Sequence, residues 1–271
     1  MTRKNGIDIL EHPVLLRRGI FSTDEAEKIL GWPRKQLNPI LFRLIRKGKL
    51  ARIKPGLFCM KPPGTRDLKE GYTQNWFLIA RALAGRRPYF VSHYSAMQLH
   101  AMTSGSIQTV FVSMAEQLRI PKNLSIPIRL VTIPKNRFWG LEEKWVTNEE
   151  KVWVSEIERT LIDASDRPDL AGGMMEIARG LWLVRKEIDS SKLVDSVKRF
   201  DSYAAAKRLG FLMEKLGVGL ESDLRRLRRF VKASTSYAFL DPTRGKTGPY
   251  LSRWRLRLNQ DPAEIEKNLM T

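Results

Sequence analysis

Eleven basic residues lie between Lys28 and Arg66 (Lys28, Arg34, Lys35, Arg43, Arg46, Lys47, Lys49, Arg52, Lys54, Lys61 and Arg66), and no carboxylate interrupts them. Side chains of this type have one obvious use, which is pairing with phosphate. A merely solvated face mixes both signs of charge; a surface without negative charge is what a polyanion partner requires. Within the run, Arg34, Lys35, Gln36 and Asn38 are of the types that read base edges. Arg and Lys pair with guanine, and Asn and Gln with adenine. Arg43, Arg46, Lys47, Lys49, Arg52 and Lys54 are assigned to phosphates, which fix register but carry no sequence information.

Other candidate chemistry is sparse. His93 and His100 stand seven residues apart on one predicted helix, about 10.5 Å along its axis, too far to share a metal. Both read as packing or hydrogen-bonding histidines. Glu156, Glu158, Asp163 and Asp166 cluster by sequence, and the first two suit a helix N-terminus. A metal-dependent nuclease needs converging carboxylates and usually a lysine, and nothing in this spacing demands that. Gly172-Gly173 opens a helix and suits either a phosphate cradle or ordinary capping. The chain has no G-x-x-x-x-G-K-[ST] loop and no G-x-S-x-G elbow. From Glu221 to Arg257 there are ten basic and three acidic residues. Arg225, Arg226, Arg228 and Arg229 project from a stripe of Leu224, Leu227 and Val231. They form either a solvated helix face, a second contact to the DNA backbone or a surface for an acidic partner.

The elements that must position the first group can be read locally. Ile7, Leu10, Val14 and Leu15 give a short first helix broken at Pro13. A hydroxyl cap at Ser22 or Thr23, followed by Asp24 and Glu25, starts a second helix over Thr23–Leu30, because the cap accepts orphan N–H groups and the acids favour the positive end of the dipole. Gly31-Trp32 ends it. Pro33 sits at a first-turn position, and Leu37, Leu41 and Leu44 mark the buried stripe of a third helix over about 33–47. Pro39 falls inside it, so the axis bends there or the helix starts later. Residues 49–53 and 57–60 read as a basic hairpin around Lys54-Pro55-Gly56. Helix, helix, turn, helix and hairpin is the plan of a winged helix-turn-helix, whose third helix enters the major groove while the hairpin tip touches the backbone.

Beyond Pro62-Pro63-Gly64-Thr65, read as a linker, helices are expected at 72–84, from a Ser92 cap to about Met102, and from a Ser155–Glu158 capping box to 164 or 165. More follow at 172–185, 191–200, 203–216 and 221–232. Strands are expected at 89–91, 109–113, 126–133, 138–147 and 151–154, with a last strand of one basic face at 253–259. The fold class is therefore α+β: a winged helix-turn-helix over 1–64, then a larger mixed domain over 65–271 with a helical C-terminal part. With 271 residues, 48 Lys plus Arg, 29 Asp plus Glu and a formal charge of +19, nucleic acid is the leading partner and an anionic membrane surface the second. The single cysteine, Cys59, excludes a disulfide framework and a Cys-based zinc site and fits a reducing cytosol. No transmembrane run and no apolar signal segment is present, so a cytoplasmic protein without cofactor or metal is expected.

Four stretches together resemble the AbiEi-type antitoxins, transcriptional regulators of viral defence. They are Phe21–Ala26 with Leu44–Phe58; Ser92-His93-Tyr94-Ser95-Ala96-Met97-Gln98-Leu99-His100; Val154–Asp163 with Gly172-Gly173; and Trp254–Asn259. The resemblance implies the antitoxin of a type IV toxin–antitoxin system. Its winged helix would bind inverted repeats in double-stranded promoter DNA and repress its own operon. Its C-terminal domain would oppose a nucleotidyltransferase-like toxin. No catalytic residue is implied. Arg159 and Asp163, four apart in the shared stretch, read as a within-helix ion pair. The competing readings from the residues alone are a metal-dependent nucleic-acid enzyme and a basic protein-binding module.

Overall fold

Asn5 begins the first helix with a reciprocal cap: its side chain accepts from Gly6 N–H at 2.7 Å, and its own N–H donates to Asp8 at 2.7 Å. The computed structural model describes residues 5–61, 75–106, 108–121 and 127–270. Helix α1 is Gly6–Leu10 and α2 is Pro13–Arg18, with Pro13 in the first turn of α2, so the expected break is a junction between two helices. Strand β1, Ile20–Ser22, leads into α3, Thr23–Leu30. Ser22 Oγ accepts from Glu25 N–H at 3.1 Å and Glu25 accepts from Ser22 N–H at 2.7 Å, a full capping box. Gly31, at φ +65°, closes α3 in the left-handed conformation that glycine adopts without steric cost, and the chain turns into α4, Arg34–Arg46. Strands β2, Leu50–Lys54, and β3, Leu57–Met60, form the wing. β1 was not foreseen; it adds to β3, giving an antiparallel sheet of order β1-β3-β2. Ile9, Leu15, Phe21, Leu37, Leu41, Leu44, Leu50 and Phe58 fill the core of this winged helix-turn-helix.

The second part begins with two helix–strand pairs and continues as strands: α5 Trp76–Ala84, β4 Tyr89–Val91, α6 His93–Leu99, β5 Val110–Met114, β6 Ile128–Thr132, β7 Leu141–Trp145 and β8 Lys151–Ser155. The sheet order is β6-β5-β4-β8-β7, with β4–β8 and β5–β6 parallel and the outer β7–β8 pair antiparallel. A helical part follows: α7 Ile157–Asp166, α8 Met174–Leu183, α9 Ser190–Phe200, α10 Tyr203–Leu216 and α11 Glu221–Lys232. It is completed by a small sheet of β9 Ala238–Phe239, β10 Tyr250–Leu251 and β11 Leu256–Arg257, and by α12, Pro262–Met270, which was not expected. The chain is thus α+β throughout.

Three local expectations are corrected. Ser92 precedes α6 but makes no capping bond; its hydroxyl lies 2.9 Å from His93 Nδ1 and accepts from Ser113 Oγ at 2.8 Å. The Ser155–Glu158 capping box does not form. Glu156 is the residue preceding α7, Ser155 Oγ pairs with Thr160 Oγ1, and Glu158 accepts from the Asp189 N–H and pairs with Lys192. The basic strand at 253–259 is a turn followed by two strand residues. Trp254 is fully buried against Gly210 and donates to Glu214 Oε2 at 2.6 Å, and Arg255 at φ +49° reverses the chain to reach that place.

The wing sheet is buried on both faces. Phe21, Leu50, Phe58 and Met60 face the helices of the first part, while Ile20, Ile53, Leu57 and Cys59 share a core with Trp76, Phe77, Ile79, Leu83 and Val154 of the second. That explains why Leu57-Phe58-Cys59-Met60 is continuously apolar instead of alternating, the pattern of a strand covered from both sides. Arg17 pairs with Glu149 across the same junction at 3.3 Å. The expected linker and the division at 64/65 lie outside the described residues.

Candidate nucleic-acid interface

Helix α4 buries Leu37, Ile40, Leu41 and Leu44, and α1 presses against it closely enough that a Cβ on Gly6 would meet Leu44 at 2.8 Å. Its opposite side exposes Lys35, Gln36, Asn38, Pro39, Phe42, Arg43 and Arg46. The helix starts at Arg34 and continues through Pro39 without interruption. Pro39 lies on the exposed side, and the Lys35 carbonyl four residues earlier loses its helical donor.

Most of the predicted residues are exposed on α4, just after it, or on the wing. Lys35, Arg43, Arg46, Lys47, Lys49 and Arg52 are exposed, and none forms an ion pair with a described carboxylate. Asn38 and Gln36 are exposed near the N-terminal end of α4. A concave notch of about 420 Å³ separates α4 from the wing, lined in part by Arg34, Asn38, Phe42, Arg52 and Gly56. Its walls are set by α4 on one side and the hairpin on the other.

Two predicted residues are differently engaged. Arg34 Nε donates to Glu27 at 3.1 Å and its Nη2 pairs with Asp24, so α3 holds it in place. The hydrogen bond to Glu27 and the charges of both acids raise its already high pKa. Lys54 is half-buried and donates to the Leu83 carbonyl of α5 at 3.3 Å, so the wing tip is turned onto the second part. Phe42, 63% exposed in the middle of the α4 surface, was missed. Its signal was present: the i, i+4, i+7 spacing of Leu37, Leu41 and Leu44 already places residue 42 off the buried stripe.

On α11 the four arginines divide. Arg226 pairs with Asp223 at 3.1 Å and with Asp195, and donates to Ser191 at 2.9 Å. Arg228 pairs with Glu214 at 3.0 Å and with Glu221, beside the Trp254 ring. Both act as struts between helices. Arg225 and Arg229 are exposed and make no ion pair with a described carboxylate.

The remaining candidates are structural in their contacts. His93 and His100 are buried; burial lowers their pKa to about 3 and about 4, and His100 Nε2 donates to the Ser155 carbonyl at 2.6 Å. Glu156 and Glu158 both pair with Lys192, at 2.6 and 3.1 Å. The anion at the N-terminus of α8 is Asp241, which accepts from Met174 N–H at 3.0 Å, so capping accounts for Gly172-Gly173. Among the described residues no group of three or more His, Cys, Asp or Glu side chains is placed to hold a metal. No helix of the described residues is long and apolar enough to cross a membrane. A cleft of about 880 Å³ lies between β1 and α5, away from the exposed side of α4. Arg18–Glu25 and Arg81–Glu150 pair on its walls.

The fold and this surface define a class: a winged helix-turn-helix with a basic helix α4, docked on a larger α+β unit. Residues 14–61 match the family model described as "Transcriptional regulator, AbiEi antitoxin". The match spans α2 to β3, so the resemblance is borne out there, while its later stretches lie beyond the matched residues. Over nearly its whole length the fold is similar to the crystal structure of the RV2827C protein from Mycobacterium tuberculosis. The TM-score is 0.67 at 13% identity, over 97% of this chain and 92% of that one, a likeness of fold alone. No curated protein matches the chain.

Proposed function

We propose that this protein is a sequence-specific DNA-binding repressor that serves as the antitoxin of a type IV toxin–antitoxin system. In this reading it binds inverted repeats in its own promoter, represses its operon, and opposes a nucleotidyltransferase-like toxin in a viral-defence, abortive-infection setting in the cytoplasm. It is not an enzyme. The winged helix, up to about residue 64, carries DNA binding, and the α+β unit from about 65 carries the antitoxin role. The observation that supports DNA binding best is the set of six cations exposed on and after α4 and on the wing, none of which pairs with a described carboxylate, beside the notch between the two. The family matched over residues 14–61 supports the regulatory role.

Asn38, Lys35 and Gln36 read base edges; Arg43, Arg46, Lys47, Lys49 and Arg52 hold phosphates; Arg225 and Arg229 are the members of α11 available for a second backbone contact. A footprint on the upstream region tests the reading directly, with protection expected over a repeated half-site. If roughly six phosphates are neutralised, log affinity falls against log salt with a slope near −5. Asn38→Ala relaxes preference at one base pair by about 1–3 kcal/mol, whereas Lys49→Ala weakens all sequences alike. Binding that ignores salt, or identical behaviour of the two variants, overturns the assignment.

A further inference from the structure

The outward side of α4 is not uniformly polar. Taking about 100° per residue, Leu37, Ile40, Leu41 and Leu44 centre roughly opposite Phe42, which stands within about 30° of the outermost line of the helix, close to the line of Lys35 and Arg46. Single apolar residues on a surface need no explanation in general. This one is 63% exposed, stands among cations that pair with no described carboxylate, and lines the notch beside Arg52 and Asn38. Pro39 adds a second exposed apolar group on the same side. A helix built only to hold phosphates gains nothing from a phenyl ring at that place. In a major groove the apolar feature that differs between base pairs is the thymine C5-methyl group, and Phe is one of the side chains that contacts it.

We infer that Phe42 is a specificity-determining residue that recognises a thymine methyl group in the major groove of the bound duplex. Asn38 lies one helical turn before it, about 6 Å along the axis, a distance of one to two base pairs. The pair therefore reads an adenine edge and a thymine methyl within one short A·T-containing step. This rests on the DNA-binding reading given above and adds a base identity to it.

Replacing thymine by deoxyuridine removes only the methyl group and leaves charge and hydrogen-bonding edges in place. The full-length protein is used to select a tight site from a random-core duplex library. Each thymine of that site is then replaced singly by deoxyuridine and affinity is measured by fluorescence anisotropy at fixed salt. The native protein is expected to lose about fourfold at one thymine, the equivalent of one buried methyl-sized group. Phe42→Ala binds the thymine duplex about as weakly as the native protein binds the substituted one, and shows no further loss at that position. Phe42→Leu retains part of the methyl sensitivity, and Lys35→Ala weakens both duplexes equally. Salt-dependent selection of a site with no sensitivity to any methyl, or an unchanged thymine-to-uridine ratio in Phe42→Ala, overturns the role of Phe42 and leaves DNA binding standing. Failure to enrich any duplex, with no salt-dependent binding, overturns both.

Discussion

Arg34 Nε donates to Glu27 Oε2 at 3.1 Å, while the same guanidinium pairs with Asp24, so the first residue of α4 is fastened to the helix before it. The two acids come from the first and middle turns of α3, and the tight turn at Gly31 brings them alongside. Arg34 therefore helps set the angle between α3 and α4, and its charge is largely neutralised by its neighbours.

Removing those neighbours should expose that charge. The Asp24→Asn, Glu27→Gln variant takes away two negative charges next to the notch and frees Arg34 for phosphate. Affinity for DNA is expected to rise for all sequences alike, and the slope of log affinity against log salt to steepen by about one, the contribution of one more phosphate contact. Anisotropy titrations over a salt series measure both. An unchanged slope means Arg34 stays an internal strut even when its partners are gone.

Lys54 gives the opposite expectation. Its ammonium donates to the Leu83 carbonyl of α5, so its removal should loosen the wing from the second part instead of weakening the grip on DNA. Lys54→Met is expected to cost about 1 kcal/mol in urea unfolding, the net value of one partly buried hydrogen bond. DNA affinity and its salt slope should stay near native. A slope reduced by about one with unchanged stability would return Lys54 to the phosphate-binding group.

Whether a feature was legible in the sequence depended on how local its cause is. Thr23–Leu30 was bounded correctly because Ser22, Glu25 and Gly31 fix its ends from within ten residues. The third helix was found from three leucines, and Pro39 did not interrupt it because its ring faces outward. β1 was invisible: three residues carry no periodicity, and the strand exists only because Phe21 and Ser22 pair with Phe58 and Leu57. The Asp261 cap of α12 was legible but went unread; Asp261 accepts from Ala263 N–H at 2.9 Å, just before Pro262 and Glu264. The cationic surface was legible as composition, but the partners that remove Arg34, Lys54, Arg226 and Arg228 from it were not. Glu27, Leu83, Asp195 and Glu214 reach them only through the packing of separate helices.

Two buried histidines make the fold sensitive to acid. Burial lowers His93 to about 3 and His100 to about 4, against an ordinary value near 6.5, so the folded state refuses protons that the unfolded chain accepts. Their stabilising contribution is complete above about pH 6.5 and is lost as pH falls through the folded values. Each accounts for about 2 kcal/mol between pH 6.5 and 5. Asp163 opposes them: burial raises it to about 6, so protonation of the folded state recovers about 1 kcal/mol between pH 6 and 5. The histidines win, and the urea midpoint should drop between pH 7 and 5, while in His100→Gln the drop shrinks to less than half. A flat profile, or an equal drop in the variant, contradicts the assignment.

The most deeply buried ion pair supplies the sharpest test of the second part. Arg159 Nε donates to Asp163 Oδ1 at 2.9 Å, and its Nη1 donates to the carbonyls of Arg137 at 2.8 Å and Trp139 at 3.0 Å. Its guanidinium lies 4.6 Å from the Trp139 ring centre and 5.0 Å from that of Phe200. One side chain thus ties α7 to the segment before β7 and to the end of α9. Asp163→Ala leaves a buried guanidinium without its counter-charge and is expected to cost about 3–5 kcal/mol. Arg159→Met leaves a buried carboxylate in the same position. The double variant Arg159→Met, Asp163→Leu removes both charges and fills the space with apolar groups, so it should cost clearly less than the sum of the two single changes. Urea unfolding of the three variants measures the difference. Strict additivity would show that the two side chains act independently, and that the within-helix pair is not what holds this junction together.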